Sequence, residues 1–208
     1  MNPFCVEVSN PDRLISNMAR REIGRGFEFN PVIELLRSGV GSKMLAIRVA
    51  KIVSVAAIAL YMALVVFNNV TDYWTNFAYV ADVLDVEQIS PRSNIRWRAI
   101  TSPVLYHVAF GLIILTEFFV ATLTAAGALA MTRALRASAQ KFARAKGLAV
   151  LGLALGFLLY EGGFVAVAGE WFGMWQSASH AAGPSAFQIL LTMMGVLIFV
   201  ALKDEEFS

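Results

Sequence analysis

A helix needs about 20 apolar residues to cross the hydrocarbon core of a bilayer, and four stretches of this chain reach or approach that length. They run from Leu45 to Phe67, Val104 to Met131, Gly147 to Ala168 and Ala186 to Leu202. The last is at the short end of the spanning range, yet it carries no charge and only Gln188 as a strongly polar side chain. Of the 208 residues 58% are hydrophobic and 15% charged, whereas a soluble domain carries about a quarter charged residues. The fold class that follows is an all-α membrane protein, a bundle of four transmembrane helices whose first partner is the lipid bilayer.

Orientation follows from Lys and Arg, which short cytoplasmic loops retain. The segment between the second and third spans holds Arg133, Arg136, Lys141, Arg144 and Lys146 with no acid, which places it inside. On the other side, the loop Asn68 to Pro103 balances Arg92, Arg96 and Arg98 against Asp72, Asp82, Asp85 and Glu87, and the loop Gly169 to Ser185 has no Lys or Arg. Lys43, Arg48 and Lys51 then put the N-terminus in the cytoplasm and Lys203 the C-terminus, in a bacterial inner membrane. The first span is too long for a signal-peptide core, and Val66-Phe67-Asn68-Asn69 offers no small-residue cleavage site.

In the first outer loop, Tyr73, Phe77, Val80 and Leu84 recur at helical spacing. They predict a short interfacial helix with Thr71 or Asp72 at its N-cap. Trp171, Phe172, Met174 and Trp175 give the second outer loop the same character, so both loops read as aromatic caps at headgroup level. Residues 1–43 contain Pro3, Pro11 and Pro31, a basic cluster at Arg20, Arg21 and Arg25, and no sustained apolar period. They read as a loosely ordered cytoplasmic extension, or as sequence upstream of a start at Met44, before a membrane domain of residues 44–208.

From Met44 onward the chain resembles a bacterial family of predicted small integral membrane proteins, a domain of unknown function. The residues that carry the resemblance are Asn69-Val70-Thr71-Asp72-Tyr73 with Asn76-Phe77, Trp97-Arg98-Ala99-Ile100, His107 and Glu117, and Gly169-Glu170-Trp171-Phe172-Gly173-Met174-Trp175-Gln176-Ser177. The resemblance implies four spans and no established activity. The first 43 residues have no counterpart in the family pattern, and Glu161 stands where a neutral residue is expected.

Ionisable groups inside spans mark the candidate functional residues, because each costs roughly 2.5–3.5 kcal/mol at the centre of the bilayer. Glu117 lies about 20 Å along the second span from its outer end, near mid-membrane, on a face shared with Ala121, Thr124 and Ala128. Glu161 lies about 10 Å below the outer surface, on a face with Gly147, Ala154 and Ala168. The small neighbours of both predict that they point at helix contacts. His107 sits about one turn inside the outer end. These three groups read as an outward-opening polar pocket or partial cation path, or as groups hydrogen-bonded within the bundle that fix its packing. Nothing ionisable continues a path from Glu117 to the cytoplasm, and Lys51 can snorkel to its own interface. Arg98 and Glu170, each beside a tryptophan, are a candidate ion pair between the outer loops.

No phosphate-binding glycine loop, nucleophile elbow, His-Glu-x-x-His or Cys-x-x-Cys occurs. The lone Cys5 has no partner for a disulfide or a metal. His107 and His180 are the two histidines, and a loop position for His180 argues against haem ligation. No cofactor, metal or catalytic residue is therefore assigned. The basic residues cluster beside apolar runs, which argues against nucleic acid as a partner. Three functions stand in order: a non-catalytic accessory or interaction subunit of a larger membrane complex, a small proton- or cation-linked transporter or channel, and a membrane enzyme or quinone-site protein resting on His107 and Arg98; a larger membrane complex or self-association is the expected protein partner. Gly152 and Gly156, a small-xxx-small pair in the third span, predict close helix packing.

Overall fold

The computed structural model describes residues 31–177 and 182–205, with side chains for 41–177 and 185–205. The chain divides into two units, Met1–Lys43 with Phe207–Ser208, and Met44–Glu206, and the contacts below all lie within the second. The expectations for residues 1–30 and for His180 fall outside the described residues.

The fold is all-helical among the described residues. In chain order it consists of α1 (Pro31–Thr71), α2 (Tyr73–Leu84), α3 (Pro103–Arg133), α4 (Ala139–Ala145), α5 (Gly147–Leu158), a π-helix (Leu159–Trp171) that continues α5, and α6 (Ala182–Ala201). Three helical stretches are long and apolar enough to cross a membrane, Gly41–Thr71, Pro103–Arg133 and Ala139–Trp171, and Ser185–Ala201 is a shorter apolar helix. Among the described residues helix α1 runs from Pro31, ahead of the apolar stretch that starts at Leu45. Pro103 opens α3.

Apolar rows spaced alternately three and four residues apart build the core. On α1 the buried row is Met44, Arg48, Lys51, Val55, Ile58 and Met62. On α3 the buried face carries Phe110, Glu117, Val120, Thr124 and Met131, and on α5 Ala149, Gly152, Leu153 and Gly156. Helices α3 and α5 make an extensive contact, because glycine lets their backbones approach. A Cβ on Gly127 would stand 2.4 Å from the Ala149 nitrogen, and one on Gly152 would stand 2.9 Å from Leu123 Cβ. Gly156 meets Met193 of α6 and Val120 of α3, so the Gly152/Gly156 pair serves two helix contacts.

The two outer loops pack on each other. Val86, Ile89 and Phe172 form a second apolar cluster, joined by Ile95 and Ile100. Val86 holds φ 48°, a strained conformation for a β-branched residue, and its side chain is 1% exposed within that cluster. The π-helix closes with Phe172 N–H donating to Val167 O at 3.0 Å. Gly173 then turns the chain at φ 69°, where a Cβ would also meet Ile95 at 2.7 Å.

Candidate functional site

Three polar clusters stand out, one at each end of the bundle and one within it. The first was not foreseen. Lys51 Nζ donates to Asp204 Oδ1 at 2.8 Å and to Leu202 O at 2.7 Å. Lys146 Nζ donates to Asp204 Oδ2 at 2.6 Å and to the same Leu202 carbonyl at 3.0 Å. Arg48 donates to Leu135 O (3.1 Å), Ala137 O (2.6 Å) and Glu205 O (3.2 Å), and its guanidinium lies 4.8 Å from the Phe142 ring centroid. Arg48 and Lys51 are each 1% exposed, so Lys51 is a buried ion-pair partner. These cations meet carbonyls at the C-terminal ends of α3 and α6, where helix dipoles concentrate negative charge. The cluster therefore ties α1, α4, α5 and the chain after α6 together. Burial alone would raise the Asp204 carboxyl, but the hydrogen bonds and charges of Lys146 and Lys51 outweigh it and hold the group below its ordinary range.

The reading of Arg48, Lys51 and Lys146 as signals of orientation missed this cluster, although a signal for it exists. Arg48 and Lys51 fall on the three-four row that continues through Val55, Ile58 and Met62, which puts both on the packed face of α1.

The second cluster contains Glu117. Its side chain is 2% exposed, and Asn69 Nδ2, on a residue 9% exposed, donates to Oε2 at 2.7 Å. Ala121, Thr124 and Ala128 share the buried face, while Thr124 turns its hydroxyl back to Val120 O at 2.6 Å. The Tyr160 hydroxyl, also buried, contacts Met62 Sδ at 3.9 Å. Asn69 is the residue that sequence reasoning left without a role: it lies seven positions beyond Met62 on the packed row of α1. Along α1, Asn69 stands about 27 Å of helix rise from Lys51.

The third cluster is aromatic. The Tyr73 hydroxyl and His107 Nδ1 share a hydrogen bond of 2.7 Å. Phe77 stacks on the imidazole with centroids 4.3 Å apart, and Trp74 meets it edge-on at 6.0 Å. Tyr73 and Phe77 of the stripe anticipated on α2 thus pack against α3, with Tyr73 also against Phe110, while Leu84 joins the Val86, Ile89 and Phe172 cluster. Asp72 occupies the N-cap position of α2, but its side chain makes no capping bond; its carbonyl accepts from Asn76 Nδ2 at 3.0 Å.

Two pairings differ from expectation. Arg98 does not pair with Glu170, which is exposed. Its Nη1 donates to Trp171 O at 2.9 Å, and its guanidinium lies 5.3 Å from the Trp97 ring and 4.5 Å from that of Trp171. The outer loops are joined through aromatic faces and a backbone carbonyl, which suit a planar cation. Glu161, expected at a helix contact, is exposed on the π-helix. The α5 contact face is set by Gly152 and Gly156, and Glu161 lies beyond α5 on the π-helix, whose wider turn takes it off that face. Small neighbours at 147 and 154 alone did not identify the packed side.

No group of three or more His, Cys, Asp or Glu that could hold a metal occurs among the described residues. Against known families, residues 47–203 match the sequence profile described as Predicted small integral membrane protein (DUF2165). The chain belongs to this family. Membership makes it an integral membrane protein of a family whose function is unknown, and the match spans the Glu117 cluster, the His107 cluster and the first cluster short of Asp204 and Glu205. No curated protein and no solved structure matches.

Proposed function

We propose that this family member is a non-catalytic interaction subunit of a membrane complex, with four spans in a bacterial inner membrane and both ends in the cytoplasm. The observation that carries the reading is a groove of about 890 Å³ between α1 and α3, floored by Ala59, Ala63, Ala121 and Ala125 and rimmed by Leu60 and Phe118. Alanine floors let another membrane helix approach closely. The buried charged groups, in contrast, are occupied in holding the chain to itself. Arg133, Arg136, Lys141 and Arg144 fall at the Asp204 end of the bundle, which supports that end as cytoplasmic. Helix Ser185–Ala201 rises about 25 Å to the same end, which supports it as a fourth span. On this placement the aromatics of α2 lie at the outer interface.

Purification of the tagged protein in mild detergent is expected to bring a stoichiometric second polypeptide, which Ala63→Phe, by filling the groove, releases without lowering the melting temperature of the subunit. Purification without any second polypeptide, or retention of that polypeptide by Ala63→Phe, would sink the reading.

A transporter is the second reading, favoured by the buried Glu117. Among the described residues no Asp, Glu, His, Lys or Arg side chain on the buried faces bridges the interval from Asn69 and Glu117 to Lys51. In proteoliposomes carrying a pH dye, wild type and Glu117→Gln are expected to leak protons equally; a flux abolished by Glu117→Gln would make this the better reading.

A further inference from the structure

The helices Pro103–Arg133 and Ala139–Trp171 are each long and apolar enough to cross a membrane, and only residues 134–138 join them. So short a joint holds the elbow between them at a face of the bilayer, whichever face that is. It is pinned there, because Met131, Ala134 and Phe142 are all buried in the main core. The elbow carries Arg133, Arg136, Lys141, Arg144 and Lys146, and no acid stands between Glu117 and Glu161 in the sequence. Lys146 is taken up by Asp204 and the Leu202 carbonyl. The other four are exposed, and among the described residues no hydrogen bond or ion pair reaches their side chains. On α4, Lys141 and Arg144 stand three positions apart and share a face, turned about 100° and about 160° from the buried Phe142. Of the described acids at this end, Asp204 is shared by two lysines, and the exposed Glu205 is matched by the exposed Lys203.

We propose that this elbow binds the phosphates of anionic phospholipids, with Arg133, Arg136, Lys141 and Arg144 donating to phosphate oxygens and acyl chains lying against Leu148 and Leu151. These leucines stand four and seven positions beyond Arg144, toward the bilayer centre, and are 44% and 56% exposed. Cations bordered by apolar surface on the bilayer side match a molecule whose phosphate sits directly above its chains. Three of the four are arginine, whose fork of N–H donors fits two phosphate oxygens at once. A headgroup with its own ammonium brings no net charge, so a concentrated positive field favours headgroups that lack one. Soluble phosphate offers the same oxygens but no chains for the leucines. The opposite end of the bundle is built differently: there Arg96 donates to Ile89 O and Arg98 to Trp171 O, so the chain itself takes up the cations. The elbow site is separate from the α1–α3 groove and requires neither a partner polypeptide nor a particular orientation of the chain.

The test is native mass spectrometry of the full chain in detergent, titrated with dioleoylphosphatidylglycerol or with dioleoylphosphatidylcholine. The glycerol lipid is expected to bind more tightly by about fivefold or more, the effect of one cation at a charged surface. Arg144→Gln should weaken that binding about fivefold and Lys141→Gln/Arg144→Gln further, with phosphatidylcholine binding unchanged. Both proteins keep Arg133 and Arg136 to hold their orientation. Because the replaced side chains have no partner among the described residues, the melting temperature in lipid-free detergent should stay at the wild-type value. Arg92→Gln, which removes an exposed arginine from the other end, should leave both lipids bound as in wild type. Glycerol phosphate, the headgroup without chains, should not displace the lipid at equal concentration. Equal binding of the two lipids by wild type, an undiminished preference in Lys141→Gln/Arg144→Gln, a lowered lipid-free melting temperature for Arg144→Gln, an equal loss in Arg92→Gln, or displacement by glycerol phosphate would each overturn the proposal.

Discussion

Asp204 accepts from two ammonium groups while its side chain is only 3% exposed, so its loss would strand Lys51 and Lys146 without their carboxylate. Removing one member of a buried ion pair typically costs about 3–5 kcal/mol. Asp204→Asn is therefore expected to lower the melting temperature of the detergent-solubilised protein far more than Asp82→Asn in the outer loop. The pH dependence follows from the depressed Asp204 value in the folded chain. A carboxyl with a lowered folded value contributes its full stabilisation above the ordinary aspartate pKa of about 3.9, and loses it as pH falls through the folded value. As pH falls from about 5 to about 2, wild type should lose stability more steeply than Asp204→Asn. Equal slopes would show that the ion pairs contribute nothing to the fold. The row position of Arg48 and Lys51 could be read from sequence, but not their partner, because Asp204 lies 153 residues beyond Lys51 along the chain.

At the scale of elements, the contact of α3 with α5 depends on glycine for reasons of distance. At Gly127 a Cβ would stand 2.4–2.7 Å from atoms of Ala149, two of them backbone. Gly127→Ala should therefore force the helices apart and cost about 1–3 kcal/mol, the usual range for overpacking. Gly111→Ala on the same helix is the control, since nothing lies within 4 Å of its Cβ and alanine favours helix by about 1 kcal/mol over glycine. Thermal melts of the two variants should move in opposite directions; a neutral Gly127→Ala would mean that the close approach is not required. The Gly152/Gly156 spacing was legible as a packing motif. The π-helix after it was not, because its wider turn arises where Gly162, Gly163 and Gly169 weaken the α-helical preference and no periodic signal announces it.

For the whole molecule, the unit Met44–Glu206 contains the clusters at Asp204, Glu117 and His107, and family similarity begins at residue 47. A chain that starts at Met44 is expected to insert and accumulate close to the full-length level, since the described hydrogen bonds of these clusters lie within the unit Met44–Glu206. Immunoblotting of membrane fractions checks this, and failure of the shorter chain to accumulate would make residues 1–43 part of the folding unit. Topology is checked by fusing a periplasm-active reporter after Asn94 and a cytoplasm-active reporter after Ser138. Each should be active at its own site, and periplasmic activity at Ser138 would reject the both-ends-inside arrangement.

The sequence by itself determined what local chemistry controls: apolar runs long enough to span, helix periods, the aromatic stripe of α2, the Gly152/Gly156 contact and the inward face of Glu117. Each of these depends on residues within one helix and on the cost of placing polar groups in lipid. Tertiary structure alone decided which polar groups meet. It put Asn69 on Glu117, Asp204 between two lysines, Arg98 on the Trp171 carbonyl in place of Glu170, and Glu161 on the outside. Partners of that kind are chosen by the crossing and phase of separate helices. In α5 the deciding factor was which of two small-residue faces allowed the closer backbone approach, a comparison that requires the neighbouring helix to be in place.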